Sequence, residues 1–238
     1  MKKLMAVMAF AAMCGVAACG GGMGGGDSGG GDSGGSGGGF DMAQMMIDNY
    51  KNGTMQAQYW VTVHADPKAG QYWETTSTSN FGAGEQKSTI AWQVAKVDGS
   101  NAWVENDTGQ GYILAFAVDL TKKMEDGANV TKAWIGKKGA KAEEIKVMEY
   151  KKPEGGGTTG EAPKYEMTTE EVTLNAAGKD WACTLTTIKM DGSETKTWVC
   201  KDAWFGGTIK TWMKMAAGES STVLTKFGED GKPWLNWE

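Results

Sequence analysis

From about residue 57 onward, short runs rich in Trp, Tyr, Thr and Val alternate with polar positions and are separated by Gly, Asn and Asp. This is the patterning of antiparallel strands joined by turns, because β-branched and aromatic side chains fit a pleated, half-buried surface. Strands are expected near 57–65, 71–79, 87–97, 101–106, 112–119, 130–135, 144–150, 165–173, 179–189, 194–201, 207–214 and 221–227. One segment departs from the period of two. Between Phe40 and Asn52 the apolar residues Met42, Met45, Met46, Ile47 and Tyr50 recur at helical spacing, with Asp41 placed as N-cap and Gly53 as stop. A methionine stripe can be a pliable binding surface, but covering the end or open face of a sheet is its simpler use. The expected fold is mainly β: an antiparallel sheet forming an open or partly closed barrel, with one short N-terminal helix.

The sharpest local expectation concerns Cys183 and Cys200. Between them, Asp191-Gly192 marks a two-residue hairpin turn, since both residues tolerate the positive φ that a type I′ turn requires. Centring the turn there pairs residues whose numbers add to 383, so Cys183 faces Cys200, Leu185 faces Trp198 and Lys189 faces Glu194. Counting from the hydrogen-bonded pair Met190/Ser193, the cysteines fall in a non-hydrogen-bonded pair, where Cα atoms approach closely enough for a disulfide. A metal or redox role is the alternative. No CxxC occurs, and His64 is the only histidine to assist two thiolates.

A second apolar pattern lies at the start. Lys2 and Lys3 precede the run Leu4 to Met13, which ends in Val16-Ala17-Ala18-Cys19-Gly20. A basic start, a brief apolar segment and small residues make an export signal, and the run falls short of the ~20 apolar residues of a membrane-spanning helix. Val16 to Cys19 resembles the lipobox of bacterial lipoproteins, which implies cleavage before Cys19 and acylation of its thiol and new amino group. A non-lipidated cysteine behind a general export signal is the competing reading. Residues 20–39 are almost entirely Gly and Ser with two Asp-Ser pairs, and nothing there could repay the entropy of folding. The expected organisation is a signal peptide over 1–18, lipidated Cys19 with a disordered tether to 39, and one β domain over 40–238. A Gly/Ser coil of this length separates domain and bilayer by ~25 Å. The expected location is the cell envelope, lipid-anchored; Gly20 after the cysteine favours an outer membrane, facing periplasm or exterior.

Composition then removes partners. Loss of Lys2 and Lys3 with the signal takes the formal charge from −5 to −7, which excludes the basic field that nucleic acid requires. All 24 basic residues are lysines, so no guanidinium fork is present to clamp phosphates or carboxylates. No cofactor or metal is expected. The 11 tryptophans could line a sugar platform or an acyl groove, but strands of this pattern use most of them as core. Trp234 and Trp237 are expected to close the last strand against the sheet. The Pro153–Pro163 stretch reads as the longest loop, either dividing the domain into halves or forming an excursion.

Catalytic motifs are few. His64, at a strand end beside Asp66, is the sole candidate base, and no GxSxG, HExxH, Walker or GxGxxG pattern exists. Glu143/Glu144 and Glu170/Glu171 are paired acids in polar stretches. The segments Gly178 to Cys183, Lys196 to Cys200, Phe205 to Lys210 and Leu224 to Gly228, with Thr131 to Gly139, resemble a domain of unknown function found in uncharacterised bacterial secreted proteins and lipoproteins. That resemblance implies no catalytic residues, and the family's usual serine at the Cys200 position does not support the disulfide. The expected function is a non-enzymatic, membrane-anchored binding module for an apolar ligand or an envelope protein. The alternative is an envelope hydrolase using paired carboxylates or His64. A large apolar cavity would speak for an apolar ligand, and two carboxyl groups converging in a cleft for the hydrolase.

Overall fold

The computed structural model describes residues 41–82, 84–151 and 164–237. The signal peptide, Cys19, the tether and the Pro153–Pro163 loop lie outside them. One helix, α1 (Met42–Lys51), precedes eleven strands: β1 (Tyr72–Asn80), β2 (Glu85–Asp98), β3 (Asn101–Asp107), β4 (Ile113–Asp119), β5 (Val130–Gly136), β6 (Glu143–Ile145), β7 (Tyr165–Ala176), β8 (Lys179–Met190), β9 (Ser193–Cys200), β10 (Thr208–Met215) and β11 (Gly218–Gly228). All belong to one antiparallel sheet in the order β6-β5-β4-β3-β2-β1-β11-β10-β9-β8-β7. The chain makes one meander from β1 to β6, reappears at the opposite edge, and meanders back until β11 pairs with β1. The stretch around Pro153–Pro163 therefore connects two halves of a single sheet.

The sheet is open but strongly curled. In a flat sheet β7 and β11 would stand four strand spacings, about 19 Å, apart. Here their Cα atoms come within 8 Å without pairing. Register shifts at Glu74/Thr75, Val94/Lys96, Ala117/Val118 and Thr208/Lys210 supply bulges that deepen twist and curl. The curled C-terminal half packs Trp181, Cys183, Cys200, Phe205, Ile209 and Leu224 into one core. The N-terminal half buries Val104, Phe116, Val118, Ala133 and Ile135 under Ile47 and Tyr50 of α1 and under Ala57 and Val61.

Helix α1 begins where the sequence places it: the Asp41 carboxylate accepts the Gln44 N–H at 3.0 Å, and Gly53 at φ 80° ends it. Residues 57–65, expected as a strand, form none. Only Ala57 bridges Val147; the Tyr59 carbonyl accepts from the Asn129 and Val130 N–H groups, and at Val61 the Asn129 side chain takes over, its Oδ1 accepting the Val61 N–H (2.8 Å) and its Nδ2 donating to the Val61 carbonyl (2.7 Å). A side-chain amide thus replaces a ladder, and the alternation of this segment reflects burial without pairing. The strand expected at 144–150 shrinks to Glu143–Ile145, because beyond it the chain pairs with Ala57.

Trp234 and Trp237 also lie elsewhere than expected. After β11 the chain runs back as a strap across the N-terminal half, where the Gly231 N–H donates to the Gly70 carbonyl (2.8 Å) and the Asn236 N–H to that of Ala140 (2.8 Å). At Gly231 a Cβ would stand 2.8 Å from Gln93 Oε1, so the close crossing needs glycine. Leu235 packs on Ile113 and Ala115, on the sheet face opposite the helix-covered core.

The β8–β9 hairpin has the expected register, with Cys183 opposite Cys200 at a Cα separation of 4.1 Å and the two sulfurs bonded. The ring closes over a separation of only 17 residues, and the hairpin already restricts the unfolded chain. Replacing both cysteines by alanine is therefore expected to cost at most about 3 kcal/mol, lowering the melting temperature while the fold persists. Thermal unfolding checks this, and a pair of thiols reactive before reduction in denatured envelope protein would contradict the pairing.

Candidate functional site

The sequence-selected residues do not converge. Glu143 pairs with Lys51 at 2.5 Å and Glu144 with Lys132 at 3.6 Å, both at the surface. Glu170 and Glu171 are exposed on β7, where Glu171 accepts a hydrogen bond from Thr184 Oγ1 at 2.9 Å. These pairs sit at opposite edges of the sheet and form no shared cleft.

His64 is half-buried between Trp73 and Trp204, with its Nε2 2.7 Å from Gln71 Oε1. Burial pushes its imidazole below the ordinary value, opposed by the Gln71 contact and by nearby Asp66. Neighbouring Trp60 to Ala65 border a recess of about 130 Å³ with Val118, Asp119, Leu120, Lys122 and Asn129. The imidazole is oriented by the Gln71 amide, the Asp66 backbone and the Trp73 and Trp204 rings. Among the described residues, no group of three or more His, Cys, Asp and Glu side chains is placed to hold a metal.

One buried carboxylate escaped the sequence. Glu105 on β3 is fully buried and accepts from the Trp234 N–H (2.6 Å), the Leu235 N–H (3.1 Å) and Trp237 Nε1 (3.0 Å), with Gln93 Nε2 at 3.5 Å. Burial holds its carboxyl above the usual range despite those three donors. Every donor belongs to the strap or the neighbouring strand, so Glu105 is an anchor for the C-terminus. Nothing in Trp103-Val104-Glu105-Asn106 distinguishes this acid from a solvated one, since its partners are some 130 residues away.

Among the described residues, aromatic side chains line up along the concave face. Phe116, Trp92, Trp73, Phe205, Trp181 and Phe227 follow one another at ring-centroid separations of 5.2 to 6.3 Å and fill the curl. The cavity that would mark an apolar carrier is thus occupied by the protein's own indoles and phenyls. Another recess, about 450 Å³, lies open at the hairpin tips between Asn80, Gly82 and Lys214–Glu219.

The outer face of the C-terminal half is bare by comparison. Thr169, Thr186, Thr197, Thr211, Thr222, Ser77 and Ser88 stand directly opposite one another across seven strands, a continuous row of hydroxyls. Beside it, Met167, Ile188 and Met213 share the next row, and Tyr165, Met190 and Met215 the one beyond. Tyr165, Met167, Met190 and Met215 are each 38 to 44% exposed, which makes an apolar patch along the hydroxyl row. The paired registers carry this arrangement; the sequence alone did not reveal it, because each strand contributes one residue.

No helix among the described residues is long and apolar enough to cross a membrane. No family model and no curated protein matches the chain, so the resemblance of its C-terminal third to a domain family gains no support. Among solved structures, the chain is similar to a protein of Parabacteroides distasonis ATCC 8503 provisionally classed as a lipoprotein, at 9% identity and a TM-score of 0.30, over 71% of this chain and 100% of that one. It is similar to a DUF1329 family protein from Desulfovibrio piger ATCC 29098 at 10% identity and a TM-score of 0.29, over 70% and 88%. It also resembles MucB, solved in complex with MucA(peri), at 11% identity and a TM-score of 0.33; the matched region covers 68% of this chain and 52% of MucB.

Proposed function

We propose that this chain is a non-enzymatic envelope lipoprotein, tethered to a membrane through Cys19, whose β domain binds a protein partner through its exposed sheet surface. The carrying observation is a contrast: aromatic side chains line the concave face among the described residues, while the outer face of the C-terminal half carries a largely half-buried row of hydroxyls beside exposed methionines and Tyr165. Met-rich, weakly apolar surfaces suit a protein partner that packs against them. Among the described residues, aromatic side chains stand where an interior apolar ligand would lie, and His64 and the glutamate pairs lie apart from one another, which favours a protein partner over these two readings. The outer membrane remains the preferred site from Gly20.

Anchoring has a direct test. Intact-mass analysis of membrane-extracted protein is expected to show a chain that starts at Cys19 and carries acyl groups, and a Cys19→Ser variant should lose the lipid mass. A soluble chain starting elsewhere would refute the anchor. For the binding role, a photo-crosslinking residue at Thr186 or Thr211 is expected to give a discrete protein adduct in intact envelopes. Stoichiometric acyl lipid released from the interior of the Cys19→Ser domain would instead return the function to apolar transport.

A further inference from the structure

β7 forms one edge of the sheet, and its outer side is laid out as a template for another strand. Ala176 and Lys179 flank the two-residue turn Ala177–Gly178, both of positive φ (51° and 74°), so this pair is hydrogen-bonded within the hairpin. Alternation then gives the even-numbered residues of β7 to β8. The odd-numbered residues Tyr165, Met167, Thr169 and Glu171 turn their N–H and C=O groups away from the sheet, and none finds a backbone partner among the described residues. Towards Ala176 the strand nears β11, but from Lys164 to Glu171 every residue is exposed.

Natural sheets ordinarily blunt such an edge by shortening, bulging, proline, charged side chains (lysine above all) or a covering segment. The opposite edge follows that rule: β6 has 3 residues, and the chain beside it is engaged by Ala57, which accepts from the Met148 N–H at 2.7 Å. β7 runs 12 residues without a register shift, a proline or a lysine.

Its charges select the occupant. Glu166 stands opposite Lys189 in the register, but Glu170 is opposite Leu185 and Glu171, on the other face, opposite Thr184; these acids guard the edge against acidic strands and set a carboxylate before both faces of a basic one. A second copy would set the same acids against one another along one seam, which like-charge repulsion opposes. We infer that Tyr165–Glu171 receives, by strand addition, an extended segment of a partner protein bearing lysine or arginine on both faces. Backbone hydrogen bonds supply the affinity and the carboxylates the preference. This assignment rests on the partner-binding reading above and adds the β7 edge to the outer face which that reading uses.

The test uses the full lipidated protein in detergent micelles and pools of short synthetic peptides in which Thr, Val and Ile are mixed with Lys or with Glu. The Lys pool is expected to bind at least about tenfold more tightly than the Glu pool. Methylating alternate peptide amides should abolish that binding, and Thr169→Pro should do the same with the melting temperature retained. Glu170→Lys with Glu171→Lys should reverse the preference. Should Thr169→Pro fail to fold, the methylated peptides keep the test decisive. Equal binding of the pools, no binding at millimolar concentration, or binding that survives methylation overturns the inference. A Thr186 adduct that forms in envelopes regardless of the β7 substitutions leaves the partner reading standing and removes the edge from it; absence of any adduct removes both.

Discussion

Replacing Glu105 by alanine is expected to free the C-terminal strap and destabilise the domain by about 3 kcal/mol, because one buried and two part-buried donors lose a buried carboxylate acceptor at roughly 1 kcal/mol each. The strap can leave and rehydrate its N–H groups, so the loss is limited to what the strap contributes. Limited proteolysis should then remove residues near Trp234 and Trp237, and denaturant unfolding should give the size of the change. Glu105→Gln keeps one acceptor oxygen but turns an amide N–H₂ towards donors, and a smaller loss is expected. The two variants also separate in pH. Burial raises the folded carboxyl above its unfolded value, so the native state binds the proton more readily. Stability should be greatest below the unfolded glutamate pKa and should fall as pH rises through the raised folded value. The Gln variant should lack that component of the slope. A Glu105→Ala protein of wild-type stability with an intact strap would show that the three bonds carry nothing.

Local rules decided which parts of this fold could be read from the chain. Strands β1 to β5 and β7 to β11 are readable from alternation or, for β4, from a continuous apolar run bounded by polar residues, and most are joined by short turns, although ten residues link β4 to β5 and seven link β9 to β10. The Cys183–Cys200 register is readable for the same reason: the Asp191-Gly192 turn fixes the count, and no bulge intervenes in β8–β9. Residues 57–65 show where the rule stops. Val61 is buried and its neighbours alternate, yet its backbone is met by the Asn129 side chain, and a side-chain substitute for a strand leaves no periodic trace.

The candidate surface was less legible because it depends on how distant strands line up. Glu170 and Glu171 read as a solvated pair, which they are, but their significance comes from β7 being an edge, and an edge is a property of topology. The hydroxyl row has one member per strand, so no window of the sequence contains it. Trp234 and Trp237 read as a strand closure because apolar residues near a C-terminus usually seek the nearest sheet. The burial of Glu105 redirected them: a carboxylate placed inside the protein requires donors, and the strap's backbone supplies two of them.

Trp181→Ala is expected to be the most damaging single substitution, at about 3–5 kcal/mol, and it also tests whether the concave face has apolar room in the native protein. Trp181 is 1% exposed, its Nε1 donates to the Ala176 carbonyl at 3.0 Å, and its ring meets Phe205 and Phe227 at centroid distances of 6.0 and 5.2 Å. Removing the indole leaves a void among phenyl rings and takes away one donor of the Ala176 carbonyl, which keeps its hairpin partner Lys179, and Trp181→Phe should cost less because it leaves a smaller void while losing the same hydrogen bond. An apolar void walled by Phe205 and Phe227 resembles engineered cavities that stay dry and admit benzene. Benzene should therefore raise the melting temperature of Trp181→Ala and leave that of the wild type unchanged. Equal stabilisation of both proteins would mean that the native curl already has apolar room, and the case for a protein partner over an apolar ligand would lose its main support.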